Sequence, residues 1–180
     1  MNNKHTIYLA LGTNIGDREK NIKEAVVLLQ EKIEDMKIAP LYESRPQGYS
    51  EQENFLNSVL VGQTDLPPQD LLLFVKNIEK KLGREERIRN GPREIDLDIL
   101  FYDDLVLNTQ NLVIPHPRIP ERDFVLLPLV DLAESFIHPL LKISLKSLLN
   151  NVCKERYVVG KSSYTITPNM GYNIYTRNKS

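Results

Sequence analysis

Arg89-Asn90-Gly91-Pro92-Arg93-Glu94-Ile95-Asp96-Leu97-Asp98-Ile99-Leu100-Phe101 runs from a basic, proline-bounded turn into an alternating segment. There Ile95, Leu97 and Ile99 alternate with Asp96 and Asp98, and a period of two predicts a strand with both carboxylates on one face and buried aliphatics on the other. Residues two apart on a strand stand about 6 to 7 Å apart, where like charges repel by about 2 to 3 kcal/mol at an effective dielectric near 20. Water on an exposed face screens that repulsion, and for an Asp-x-Asp taken alone a solvated strand face is the simpler reading. A hard divalent cation offsets it more fully, because magnesium takes one or two carboxylates and completes its shell with substrate phosphates. The flanking cations favour the second reading: Arg84, Arg87, Arg89 and Arg93 precede the pair, and His116, Arg118 and Arg122 follow it. Guanidinium groups match phosphate oxygens in fork geometry. Glu85 and Glu86 make Arg84 to Arg89 readable as a solvated charge run, a reading that is weaker for Arg93, fixed one residue behind a proline.

The segments upstream supply the partners of this strand. Thr6 to Leu11 reads as a short apolar strand ending in the turn cluster Gly12-Thr13-Asn14-Ile15-Gly16, after which Asp17 caps a helix with Ile22, Val26, Leu29 and Ile33 on its apolar stripe. A second strand is expected within Lys37 to Ser44, weakened by Pro40 and therefore suited to an edge. Phe55 to Thr64 alternates as a third strand. Pro67 and Pro68 open a helix whose stripe is Leu71, Val75, Ile78 and Leu82, and Gly83 ends it. The order strand, helix, strand, strand, helix, strand predicts an α+β, ferredoxin-like βαββαβ core with an antiparallel sheet and both helices on one face. Helices at Glu121 to Leu132 and Ser144 to Val152 are expected to cover the other face, giving a three-layer α/β/α sandwich with a crevice beside the Asp pair. The domain is expected over residues 1–153, with 154–180 as a C-terminal tail, an accessory hairpin or, slightly preferred, a flexible end.

Composition narrows the class. The 180 residues are 41% hydrophobic and 26% charged, as in an ordinary globular domain. A formal net charge of −1 gives no general electrostatic reason to bind nucleic acid or an acidic membrane. Neither an export signal nor a membrane span is expected, since Phe124 to Leu132 is interrupted by Pro128 and Asp131. The lone Cys153 excludes an internal disulfide and fits a cytoplasmic location. Gly12 to Gly16 sits where a phosphate loop would, yet it lacks the Gly-Lys-Ser/Thr ending, so its glycines read as turn formers.

Arg89 to Leu100 resembles the signature of the 6-hydroxymethyl-7,8-dihydropterin pyrophosphokinases: a basic residue, any residue, Gly-Pro-Arg, two variable positions, Asp-aliphatic-Asp and two aliphatics. Supporting pieces fall in the family's order: Leu11-Gly12-Thr13-Asn14, Tyr42-Glu43-Ser44-Arg45-Pro46, Phe55-Leu56-Asn57, Ile78-Glu79 before Gly83-Arg84, Pro115-His116-Pro117-Arg118, and Arg122-Asp123-Phe124. The resemblance spans about His5 to Val152. It implies transfer of diphosphate from ATP, a co-substrate, to the hydroxymethyl group of a reduced pterin in folate biosynthesis, giving AMP and the pterin diphosphate. By the same resemblance Asp96 and Asp98 hold two magnesium ions, Arg84, Arg93 and Arg122 join them in catalysis, and Glu79, Arg84, Arg93, Ile99, His116 and Arg118 meet ATP. The pterin falls to Ser44, Arg45, Pro46, Gln47, Phe55, Asn57 and Phe124, with the aromatic rings as walls and Asn57 both donating and accepting at the ring edge.

Two departures stand out. Asn90 takes the place of an aromatic residue common before Gly-Pro-Arg, and Arg45 stands where relatives carry a smaller or apolar residue. The charged loop Glu85 to Gly91 reads as a mobile lid over ATP. The implied partners are small molecules rather than nucleic acid or membrane, with a monomer slightly favoured.

Three other readings compete. A nucleotidyltransferase places its Gly-Ser/Thr turn close to its Asp-x-Asp, whereas Thr13 and Asp96 are far apart here. An RNA-binding module wants a basic sheet face with an RNP-like aromatic stretch, and this sequence has neither. A ligand-sensing domain of like topology is not excluded by its fold, but it has no use for paired carboxylates flanked by arginines.

Overall fold

A computed structural model describes residues 3–85 and 90–168. In chain order the elements are β1 (His5–Thr13), α1 (Arg18–Leu29), β2 (Glu34–Ile38), β3 (Tyr42–Ser44), β4 (Phe55–Thr64), α2 (Pro68–Lys81) and β5 (Asp96–Tyr102). A small hairpin follows, β6 (Leu107–Asn108) with β7 (Val113–Ile114), then α3 (Asp123–Ala133), α4 (Leu145–Ser147), which continues as a π turn over Leu148–Val152, and β8 (Val158–Lys161). The main sheet runs β5-β1-β4-β3-β8, with β2 also paired to β4. Every pairing is antiparallel. With β2 and β3 counted as one interrupted strand this is the expected ferredoxin-like βαββαβ core.

Alternation divides the core between the two faces of the sheet. Ile7, Leu9 and Leu11 of β1, Leu56 and Leu60 of β4, and Leu97 and Ile99 of β5 pack with Ile22, Val26 and Leu29 of α1 and with Leu71, Val75 and Ile78 of α2. Tyr8, Val59 and Phe101 face the other way, onto Val125, Leu126 and Leu129 of α3 and Leu145 and Leu148 beyond it. Each such fully buried aliphatic contributes about 1.5 to 3 kcal/mol. A bulge in the β1–β5 register between Tyr8 and Leu9 puts both Leu100 and Phe101 on the α3 side.

Local signals account for the helix ends. The Asp17 carboxylate accepts from the Lys20 N–H at 3.1 Å, Pro68 occupies the first turn of α2, and Gly83 takes φ +87° just past its end.

Three expectations change. β1 does not end before Gly12 but runs through Thr13, so only Gly16, at φ +67°, is a turn former in that cluster. The segment around Pro40 is two strands with Pro40 in the gap between them, since a residue without an N–H cannot continue the ladder. Of these, β3 is no edge, because β8 pairs with its free side. In the described part of the tail Val158 to Lys161 form one strand added to β3, and the buried Asp123 carboxylate holds its start, accepting from the Tyr157 N–H at 3.0 Å and from the Val158 N–H at 3.2 Å. Residues 169–180 of the tail lie outside the described residues.

Candidate active site

The edge strand β5 turns Asp96 and Asp98 to the α3 face, where they line a cleft of about 260 Å³. The sheet register builds its floor: Asp96 faces Gly12 on β1, Gly12 faces Asn57 on β4, and Asn57 faces Tyr42 on β3. Gly12 serves space rather than a turn. A methyl group there would lie 3.3 Å from Asn57 Oδ1 and 4.0 Å from the Phe55 ring.

Around the acid pair, Arg84 Nη1 lies 2.8 Å from Asp96 Oδ1 and also meets Glu79 Oε2, while Arg93 Nη1 stands 3.6 Å from Asp96 Oδ1. Glu79 is buried on α2. Its Oε1 accepts from the Leu97 N–H at 2.7 Å and from Lys76 Nζ at 3.0 Å, so one carboxylate braces both Arg84 and the backbone between the two aspartates. Burial pushes the Glu79 carboxyl up, against the pull of Lys76. The Arg93 backbone is clamped to the end of β1: its N–H donates to Asn14 Oδ1 at 2.8 Å and its carbonyl accepts from the Asn14 N–H at 3.0 Å.

His116 Nε2 lies 3.9 Å from Asp98 Oδ2. The Arg118 N–H donates to His116 Nδ1 at 3.2 Å, which assigns the imidazole proton to Nε2, on the side facing Asp98. Burial holds the imidazole below its usual range, and burial together with the Asp96 charge pushes the Asp98 carboxyl up. A half-buried carboxylate beside another is relieved by a cation. Two hard oxygen donors open to a cleft suit magnesium, which fills its remaining positions with water and phosphate.

Across the cleft, Asn57 Nδ2 donates to Ser44 Oγ at 2.8 Å, leaving Oδ1 toward Gly12 and the open space. Phe55 and Phe124 line the cleft with Ser44, Arg45, Gln47 and Arg122. Arg122 Nε donates to Gln47 Oε1 at 3.1 Å, and its guanidinium carbon lies 5.7 Å from the centre of the Phe124 ring. Burial lowers the pKa of Arg122, and the neighbouring Arg118 pushes the same way.

Eleven residues singled out from the sequence thus line one cleft: Ser44, Arg45, Gln47, Phe55, Asn57, Arg84, Arg93, Asp96, Asp98, Arg122 and Phe124. Glu79 and His116 stand directly behind this lining, against Arg84 and Asp98. Three others are not gathered in. Ile99 turns its side chain into the core with α1 and α2, Arg118 pairs with Glu121 at 3.2 Å, and Pro46 does not line the cavity. Lys76 and Asn90 line it and were not anticipated as site residues. Lys76 had one available signal, its i,i+3 spacing to Glu79 on the α2 face. Asn90 adopts φ +59°, a conformation asparagine tolerates better than an aromatic residue, and its carbonyl accepts from Gln52 Nε2 at 2.7 Å. Arg87, Arg89 and the middle of the expected lid lie outside the described residues.

Residues 8–134 match the model of the family described as 7,8-dihydro-6-hydroxymethylpterin-pyrophosphokinase (HPPK). The chain belongs to the HPPK family. It is therefore an enzyme of the transferase class, a pyrophosphokinase of folate synthesis. The 2-amino-4-hydroxy-6-hydroxymethyldihydropteridine pyrophosphokinase of Aquifex aeolicus (strain VF5) is 48% identical over 141 residues, which are 78% of this chain and 88% of that protein. The Bacillus subtilis (strain 168) protein of the same name is 43% identical over 129 residues, 71% of this chain and 77% of its own length. The folic acid synthesis protein FOL1 of Dictyostelium discoideum is 47% identical over 146 residues, and this chain spans only 22% of it. Among solved structures, the wild-type Plasmodium falciparum HPPK-DHPS with SDX-DHP superposes at a TM-score of 0.67 with 18% identity, over 82% of this chain and 44% of that one. That likeness supports the fold, and it agrees with the ferredoxin-like core of the HPPK domain.

Proposed function

We propose that this chain transfers diphosphate from ATP to the hydroxymethyl oxygen of 6-hydroxymethyl-7,8-dihydropterin, giving AMP and the pterin diphosphate. The observation that carries the reading is a single cleft in which the Asp96–Asp98 pair with its arginines adjoins the Phe55, Asn57 and Phe124 slot. Asp96 and Asp98 would hold two magnesium ions, which when bound neutralise the triphosphate and make the β-phosphorus electrophilic. Transfer of this kind asks mainly for alignment and charge stabilisation, so the chain needs no dedicated general base.

Arg84 and Arg93 orient the ATP phosphates in fork geometry, with Glu79 fixing Arg84. His116 donates from Nε2 to a phosphate oxygen, Arg118 adds positive charge behind it, and Ile99 contributes through its main chain. Arg122 stabilises the negative charge that develops on the transferred group. Phe55 and Phe124 sandwich the flat pterin, Asn57 reads its edge, and the Ser44-Arg45-Pro46-Gln47 loop closes the slot.

The near-neutral charge favours small-molecule partners over nucleic acid or a membrane, and a monomer working in the cytoplasm fits the buried, unpaired Cys153. Among the described residues no helix is long and apolar enough to cross a membrane. The catalytic domain is assigned to residues 1–153, with β8 of the C-terminal segment 154–180 added to its sheet.

The test is to incubate the protein with magnesium and ATP, with and without 6-hydroxymethyl-7,8-dihydropterin, and to quantify nucleotide products. AMP that forms only with the pterin is expected. Formation of ADP, or no turnover, would sink the reading.

A further inference from the structure

The match to the family model ends at residue 134, yet Tyr157, well beyond it, touches two side chains of the cleft. The Tyr157 hydroxyl lies 3.4 Å from Gln47 Nε2, and its ring meets Phe124 edge-on with centroids 5.8 Å apart. Gln47 Oε1 accepts from Arg122 Nε at 3.1 Å, and Arg122 lies over Phe124. The four side chains therefore close a ring of contacts.

The ring has a fixed sense. Guanidinium groups only donate, so Gln47 must turn its oxygen to Arg122, and its amide nitrogen then faces the tyrosine hydroxyl. Removing that hydroxyl takes away the acceptor that holds the amide nitrogen in this orientation. The Tyr157 main chain is anchored separately: its N–H donates to the buried Asp123 carboxylate, and its carbonyl accepts from the Arg45 N–H at 2.9 Å. The ring and hydroxyl can thus be changed with those backbone anchors in place.

We propose that Tyr157 is a positioning residue for the pterin slot: its hydroxyl orients Gln47 and hence Arg122, and its ring fixes the face of Phe124. The C-terminal strand is then part of the active site rather than an appendage. This rests on the diphosphokinase reading, in which Arg122 acts on the transferred group and Phe124 stacks on the pterin.

The experiment compares the parent with Tyr157→Phe, Tyr157→Ala and Lys161→Ala. The last removes a β8 contact to Asp131 at 3.8 Å, away from the slot. Tyr157→Phe keeps the ring and is expected to lower kcat about fivefold, the worth of one hydrogen bond, with KM for pterin within about twofold of the parent. Tyr157→Ala is expected to raise KM for pterin by about threefold to tenfold as well, through loss of the aromatic pair. KM for ATP should stay within about twofold in both, and Lys161→Ala should match the parent, as expected of an exposed ion pair. An unchanged kcat for Tyr157→Phe, an unchanged pterin KM for Tyr157→Ala, a parallel rise in ATP KM, or the same pattern in Lys161→Ala would each overturn the inference. A parent without pterin-dependent AMP formation removes the underlying reading too, whereas an active parent with unaffected Tyr157 variants removes only this one.

Discussion

Asp96 and Asp98 share the cleft face of β5 but not their surroundings: Asp96 is paired with Arg84 and Arg93, while Asp98 faces the neutral, Nε2-protonated His116 at 3.9 Å, with Lys76 and Arg122 adding a weaker attraction. Asp98 is therefore the carboxylate with most to gain from a cation, and Asp96 the one already tied to the phosphate-binding arginines. We expect Asp96→Ala and Asp98→Ala each to lower turnover by a factor on the order of 100 or more, with the far-UV circular dichroism spectrum retained. Turnover within a few-fold of the parent would show that the altered carboxylate is no metal ligand. At the other end of the cleft, Asn57 is held by Ser44 and faces the gap left by Gly12. Calorimetry on Asn57→Ala should show pterin binding weakened by about 1 to 3 kcal/mol with ATP binding little changed, since the lost contacts are hydrogen bonds in a buried slot. Equal losses for both ligands would contradict a pterin-edge role.

Among the elements, the β2–β4 pairing rests on a close approach. Its register shifts between Glu34 and Lys37, Asp35 takes φ +49°, and a methyl group on Gly62 would come within 2.5 Å of Ile33 Cγ2 and 3.0 Å of the Glu34 carbonyl. Gly62→Ala is expected to destabilise the protein by about 1 to 3 kcal/mol in urea unfolding, as overpacking against main chain does. An unchanged midpoint would mean that β2 shifts away at little cost. The elements also differ in how far a sequence reading carries. Strand β4 and helix α2 have strong periods and clear ends, and both form where those signals place them. Strands β2 and β3 are too short for a period to register, and Pro40 marks the break without saying what lies on either side of it.

Across the whole molecule, stability is tied to pH through His138, which is buried against Phe101 in the turn between α3 and α4. Its Nδ1 accepts from the Leu140 and Leu141 N–H groups at 3.3 and 3.2 Å, a role only an unprotonated nitrogen fills. Burial lowers its pKa in the native state. As pH falls, the unfolded chain takes up the proton first, so this contribution is complete above the unfolded value of about 6.5 and is lost as pH falls toward the native value. Urea unfolding at pH 7 and pH 5 should therefore show a smaller drop for His138→Asn, which retains an acceptor but does not titrate, than for the parent. Identical drops would remove His138 from the acid limb.

The β5 alternation, the helix stripes and the Arg89 to Leu100 signature depend on neighbours within about one turn or one strand, so the chain order alone carried the core topology and the identity of the acid pair. Tertiary structure was needed wherever the partner lies far along the chain. Gly12 is a spacer only because Asn57 sits opposite it, Asp123 is an anchor only because Tyr157 returns to it, and β3 loses its edge only when β8 arrives. Such contacts are fixed by packing and hydrogen bonds between segments with no shared period, and no local pattern of residues encodes them.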